Sequence, residues 1–181
     1  MTKPVILAIV GPSGSGKTTM AEYLKNEMGI PVLVSFTTRN MRPGEVDGVD
    51  HNFVSEQEMP PKEDMLAYTK FGGYHYWTTI SQIPNGICSY VIDEKGLMML
   101  WEDFGDRFDI VPIFVKCNIE TLEKRGIDPE RLQRDKIRVV IEEAAYWATI
   151  TNNGDLEEFY SNISQIINLL PQWQHQKMKI Q

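Results

Sequence analysis

The chain has 181 residues, 42% of them hydrophobic and 24% charged, with a formal net charge of -7 at pH 7. That length suits one α/β domain with a small insertion. The acidic balance argues against broad electrostatic binding to nucleic acid or an anionic membrane, while leaving room for a small basic pocket that holds phosphates.

Residues 4–10 are a short apolar run rich in β-branched side chains, which suits a strand buried on both faces. The run ends in Gly-Pro-Ser-Gly, so it is no signal peptide, and no run in the chain approaches the ~20 apolar residues of a membrane span. Residues 16–28 carry Met20, Leu24 and Met28 at helical spacing, with Gly29 placed as a C-cap. A second short strand is expected at 32–34. From 35 to 86 the pattern is interrupted by Pro43, Pro60, Pro61, Gly72, Gly73 and Pro84, and alternation with aromatics predicts a small, mainly β insertion with one short helix near 56–67.

Residues 87–92 form another buried strand ending at Asp93, followed by a helix over 96–104 and a strand over 110–115. Residues 121–147 are charged and read as largely helical, with a break at "RGIDP". A last strand at 148–151 precedes a helix over 155–170 with Ile163, Ile166, Ile167 and Leu170 on one face, and the tail from Pro171 is polar. Strands alternating with helices predict an α/β fold with a parallel sheet covered on both faces. Cys88 and Cys117 lie in or beside apolar runs and read as reduced, buried thiols of a soluble cytoplasmic protein.

Between the first strand and the first helix stands "GPSGSGKT", which matches G-x-x-x-x-G-K-[ST] through Gly11, Gly16, Lys17 and Thr18. The glycines let successive backbone N–H groups point inward, and the helix N-terminus adds a partial positive charge. Gly11, Ser13, Gly14, Ser15, Gly16, Lys17, Thr18 and Thr19 are therefore the expected contacts to a nucleotide's phosphates. Lys17 acts as a point charge, and Thr18 offers its hydroxyl to Mg²⁺. Asp93, at the end of an apolar strand, is the second expected residue beside the metal. "DEKG" at 93–96 has the form of the D-x-x-G of GTPases, but the chain lacks N-K-x-D, which argues against a GTPase switch.

About twenty residues further on, "SFTTRNMRPGEVDGVDHNFVS" resembles the acceptor-binding segment of guanylate kinases. Arg39 and Arg42 lie close together in a Gly/Pro-marked loop, and two guanidinium forks can clamp a monophosphate. Ser35, His51, Tyr76 and Thr78 can add hydroxyl or imidazole contacts. In the family pattern, Ser35, Arg39, Arg42 and Tyr76 match phosphate or nucleotide contacts, and Thr78 stands for a serine.

The resemblance implies a P-loop three-layer sandwich: a core at 1–34 and 87–181, an acceptor-binding insertion at about 35–86 and a helical lid at about 120–138. It implies an ATP-dependent nucleoside monophosphate kinase using Mg²⁺, a monomer or homodimer acting on small nucleotides. In the lid segment "EKRGIDPERLQRD", Arg125 and Arg131, with Arg134 in reserve, would stabilise charge on the transferring group beside Lys17. "TNNGDLEE" resembles the segment near the donor's adenine and makes Asn152 and Asn153 weaker candidates.

The base-reading half departs from the family. Ala67 stands where a glutamate is expected, Val91 where the first of two aspartates is expected, so that only Asp93 of that pair remains for the acceptor, His51 replaces a tyrosine and Trp77 a glycine. A site built to hydrogen-bond one base loses that discrimination with its acceptors. The acceptor is then either a different, modified or unmodified, deoxynucleoside monophosphate stacked among Trp77, Tyr68 and Tyr76, or GMP or dGMP with Glu63 or Asp64 doing the glutamate's work. A guanylate kinase-like binding module without catalysis is the alternative from another class.

Overall fold

The computed structural model describes residues 3–173, apart from the side chain of Arg134. Four strands, β1 (Val5–Val10), β6 (Ile87–Val91), β7 (Asp109–Lys116) and β8 (Ala148–Thr151), form an all-parallel sheet in the order β6-β1-β7-β8. β1 is central and apolar on both faces. Val5, Leu7 and Ile9 enter one core with Met20 and Leu24 of α1 (Lys17–Met28) and Phe159 and Ile163 of α5 (Leu156–Ile167). Ile6, Ala8 and Val10 enter a second core with Leu97 and Leu100 of α2 (Glu94–Phe104). Each large side chain of β1 contributes about 1.5–3 kcal/mol through burial, so the strand is a firm anchor for the loop that leaves it. The neighbours of β1 come from later in the chain, so the sheet changes direction beside it. Crevices at such switch points, beyond the strands' carboxyl ends, are where α/β folds place ligands.

A second sheet, in the order β3-β2-β5-β4, is built from β2 (Phe36–Thr37), β3 (Asn52–Phe53), β4 (Met65–Phe71) and β5 (Tyr74–Thr79). β4 and β5 form a hairpin closed by Gly72 and Gly73, both at positive φ (59° and 86°), the twist a two-residue turn requires. The register of this hairpin shifts between Leu66 and Thr69, and within that bulge Ala67 sits at φ 50°.

Three expected elements differ. Residues 32–34 make a single parallel bridge, Val32 to Ser89, since Pro31 next to it has no N–H to extend a ladder. Instead of a helix near 56–67 there are two 3-10 turns, Glu56–Glu58 and Lys62–Asp64, interrupted by Pro60 and Pro61, and β4 begins at Met65. Between 121 and 147 the helices are short: α3 (Ile119–Lys124), α4 (Pro129–Asp135) and a 3-10 turn at Glu143–Ala145. The break expected at "RGIDP" is present, with Gly126 at φ 69°. Cys88 is buried, whereas Cys117 is only half-buried. Among the described residues no helix is long and apolar enough to cross a membrane. The last part of the polar tail, from residue 174, lies outside the described residues.

Candidate active site

The loop from Gly11 to Gly16 runs from the end of β1 into α1. Gly16 caps the helix at φ 106° without any side-chain cap, and no acidic residue lies in the first turn. The first amides of α1 are therefore left for a ligand. Gly14 (φ 74°) and Gly11 (φ 155°) also adopt conformations that L side chains rarely adopt, and a Cβ on Gly11 would lie 2.4 Å from the carbonyl oxygen of Val115. Gly11→Ala is therefore expected to lower stability by about 3 kcal/mol, read as a drop in thermal midpoint.

Cations and two carboxylates crowd the mouth of this loop. Lys17 Nζ donates to the carbonyls of Gly11 and Pro12, at 2.8 Å each. Arg138 donates from Nη1 to the same Gly11 oxygen at 2.6 Å, while its Nε and Nη2 both bind Glu94 Oε2, at 2.9 and 2.7 Å. Asp135, at the end of α4, accepts from the Ser13 amide at 2.6 Å and from its hydroxyl at 3.3 Å. A carboxylate thus sits on an amide of the loop, as an anion would. Burial, reinforced by the Arg138 charge, pushes the Lys17 ammonium down to about 8. Arg131 is close enough to lower it further, and Arg131 Nε is buried without a partner. Ser15 is buried, with its hydroxyl also unpartnered. Thr18 is exposed and Thr19 half-buried on the first turn of α1.

Arg125 lies at the side of the loop. It donates to the carbonyls of Gly14 and Asn152, each at 3.2 Å, and to Asn152 Oδ1 at 3.0 Å. Asn152 in turn donates to the Ser15 carbonyl at 2.7 Å, whereas Asn153 accepts from the Asn118 amide. A cavity of about 270 Å³ opens here, lined by Gly14, Gly16, Thr19, Arg125, Asn152 and Leu156. Arg125 and Asn152 thus form a wall of that cavity, and Arg138 rather than Arg125 shares the Gly11 carbonyl with Lys17. The Arg134 side chain lies outside the described residues.

The second sheet carries the other cation pair. Arg39 is buried and makes a two-pronged ion pair with Glu45, at 2.8 and 2.9 Å. The guanidinium beside it holds the Glu45 carboxyl down at about 2. Arg42 is 51% exposed, and its amide donates to Glu45 at 2.7 Å. Tyr76 lies near enough to Arg39 to act on its charge, His51 meets the Tyr76 ring edge-on at 5.9 Å, and Ser35 Oγ lies 2.8 Å from His51 Nδ1. Burial lowers the His51 pKa, so the ring is neutral at pH 7. Thr78 is buried and bound to Gln82.

The expected stacking pocket is not formed as anticipated. Trp77 is buried flat against Phe36, and Tyr68 is bonded to His75 at 2.7 Å. Alternation along β5 sends His75 and Trp77 to the face opposite Tyr76 and Thr78. Ala67 is buried in the bulge, and Glu63 and Asp64 are exposed in the turn before β4.

Asp93 caps α2, accepting from the Gly96 amide at 2.7 Å. Among the described residues no group of three or more His, Cys, Asp or Glu could hold a metal ion. Thr18 and Asp93 suit Mg²⁺ nevertheless, because that ion takes few protein ligands and completes its shell with phosphate oxygens and water.

A family model described as guanylate kinase matches residues 1–170. The chain belongs to the guanylate kinase family. By family it is a nucleoside monophosphate kinase of the P-loop class. It is 31% identical over 180 residues to the guanylate kinase of Nitrobacter winogradskyi, covering 90% of this chain and 81% of the relative. To the guanylate kinase of Chlamydia trachomatis it is 33% identical over 183 residues, covering 90% and 86%. The crystal structure of guanylate kinase from Anaplasma phagocytophilum superimposes with a TM-score of 0.69 at 27% identity, covering 93% of this chain and 86% of that one. Within this guanylate kinase fold, Glu45, Glu94, Asp135 and Arg138 make contacts at the candidate site that motif spacing did not point to. Glu45, inside "RPGE", carried a local signal, an acid three residues after Arg42, while Glu94 and Asp135 stood inside the quoted "DEKG" and lid segments without being singled out.

Proposed function

We propose that the chain transfers the γ-phosphoryl group of MgATP to the phosphate of a nucleoside monophosphate. The observation that carries this reading is a pair of cation sets on one chain: the P-loop with Lys17, and Arg39 with Arg42 and Tyr76. An acceptor phosphate oxygen attacks the γ-phosphorus in line. The new P–O bond forms as the bond to the β,γ-bridging oxygen breaks, and ADP leaves with that electron pair. The attacking oxygen is already anionic, so no general base is needed. Arg39 and Arg42 orient the acceptor, while Ser35, His51 and Tyr76 shape its phosphate site. Mg²⁺, held by Thr18 and Asp93, would neutralise charge on the donor phosphates. The second sheet and the helical segment at 120–138, acting as acceptor arm and lid, would exclude water.

Kinship favours GMP or dGMP as acceptor. A second reading, a different deoxynucleoside monophosphate, is favoured by Ala67 and Val91 at the base-reading positions and by the exposure of Glu63 and Asp64 outside β4. A coupled ADP-release assay with MgATP against each common ribo- and deoxyribonucleoside monophosphate separates them. Turnover confined to GMP and dGMP supports the first, and turnover with another monophosphate and little with GMP supports the second. No turnover with any acceptor would leave a binding module.

A further inference from the structure

Two cations share one carbonyl at the loop mouth. Lys17 Nζ and Arg138 Nη1 both donate to Gly11 O. Like charges held side by side repel, and the arrangement is favourable once an anion sits between them. Arg138 has five N–H donors, and three are engaged by Glu94 and Gly11, leaving one on each terminal nitrogen for a ligand.

The arginine is also tethered. Glu94 is buried on the first turn of α2, whose Leu97 and Leu100 are fixed in the core. It follows Asp93 directly and reaches 44 residues along the chain to Arg138. The pair therefore stands between the Asp93 end of β6 and the P-loop, where donor and acceptor phosphates must meet. The Asp135 carboxylate marks an anion position on the Ser13 amide; the Asp135 carbonyl accepts from the Arg138 amide at 3.4 Å, but the Arg138 guanidinium is held by Glu94. A nucleotide phosphate that displaces Asp135 leaves the Glu94 tether in place.

We propose that Arg138 is the arginine that grips the transferring phosphoryl group, and that Glu94 is the positioning residue that aims it. This rests on the phosphotransfer reading above. Charge on the equatorial oxygens is spread in the transition state, so a guanidinium aimed there lowers the barrier more than it tightens ground-state binding.

The test uses the full chain, with wild type and Arg138→Ala, Arg138→Lys, Glu94→Gln and the double variant Arg138→Ala/Glu94→Gln assayed at saturating MgATP and the best acceptor. Arg138→Ala should lower kcat on the order of 10²-fold, with both KM values moving less than about threefold. Arg138→Lys should recover part of that loss, and Glu94→Gln should cost about tenfold in kcat. In the double variant Glu94→Gln should add nothing, because its effect runs through Arg138; a merely structural role would add independently. A kcat within about threefold of wild type for Arg138→Ala, or additive losses, would overturn this inference alone. Absence of turnover in the wild type would overturn it together with the phosphotransfer reading.

Discussion

Lys17→Ala is expected to lower turnover on the order of 10³-fold, read as ADP release at saturating MgATP and acceptor. Its ammonium is the cation tied into the loop itself, bonded to Gly11 and Pro12 where a γ-phosphate would sit. Near-normal activity in that variant would refute the mechanism. The loss must not be confused with unfolding, and linkage provides the check. The folded pKa, about 8, lies below the ordinary 10.5, so the charged lysine opposes folding below pH 8. That cost is relieved as pH rises from about 8 toward 10.5. Lys17→Met, which keeps the apolar stem, should therefore be at least as stable as wild type at neutral pH while remaining inactive. In the wild type, kcat/KM for ATP should fall above pH about 8 as the free protein loses this proton. With nucleotide bound, the phosphates hold the proton and the decline in kcat should lie at higher pH.

Arg39→Ala should raise the acceptor's KM on the order of 10²-fold, measured at saturating MgATP. Two losses add. The clamp loses its buried guanidinium, and Glu45 is left as a carboxylate without its close ion pair, held by Arg42 alone and facing an incoming phosphate. Glu45→Gln in the Arg39→Ala background should therefore restore part of the affinity. Arg42, half-exposed and 4.0 Å from Glu45, should cost only about tenfold when replaced by alanine. With its carboxyl held near 2, Glu45 stabilises the fold above its ordinary pKa of 4.5, and that contribution is lost only as pH falls toward 2. The clamp thus stays ordered across the working range. An unchanged acceptor KM in Arg39→Ala would remove it from the clamp.

The parts of this protein legible in its sequence are those whose chemistry is local. The P-loop shows because three glycines with positive φ, a lysine and a helix start must be neighbours in the chain. β1 shows because a strand covered on both faces is apolar at every position. Where local pattern misled, a specific competitor won. Pro60 and Pro61 confine the 56–64 stretch to two short turns where one helix was expected, whereas the break at "RGIDP", with Gly126 at positive φ, was itself readable in the chain. Trp77 reads as a base-stacking residue until the β5 register places it against Phe36, behind Tyr76. The contacts at the loop mouth were beyond pattern reading altogether: Ser13 to Asp135 spans 122 residues, and Gly11 to Arg138 spans 127. The lid resemblance singled out Arg125, Arg131 and Arg134; folding puts Arg131 near Lys17, sets Arg125 against Asn152 and also brings Arg138 to the Gly11 carbonyl.

The most direct test of phosphotransfer follows the phosphorus itself. ATP labelled at the γ-phosphate would be incubated with the protein, Mg²⁺ and the acceptor that releases ADP fastest, and the products separated. Each ADP formed should be matched by one label in the β-position of the acceptor's diphosphate, and Lys17→Ala should form that labelled diphosphate on the order of 10³-fold more slowly. Label found only in inorganic phosphate, with the acceptor monophosphate unchanged, would contradict it.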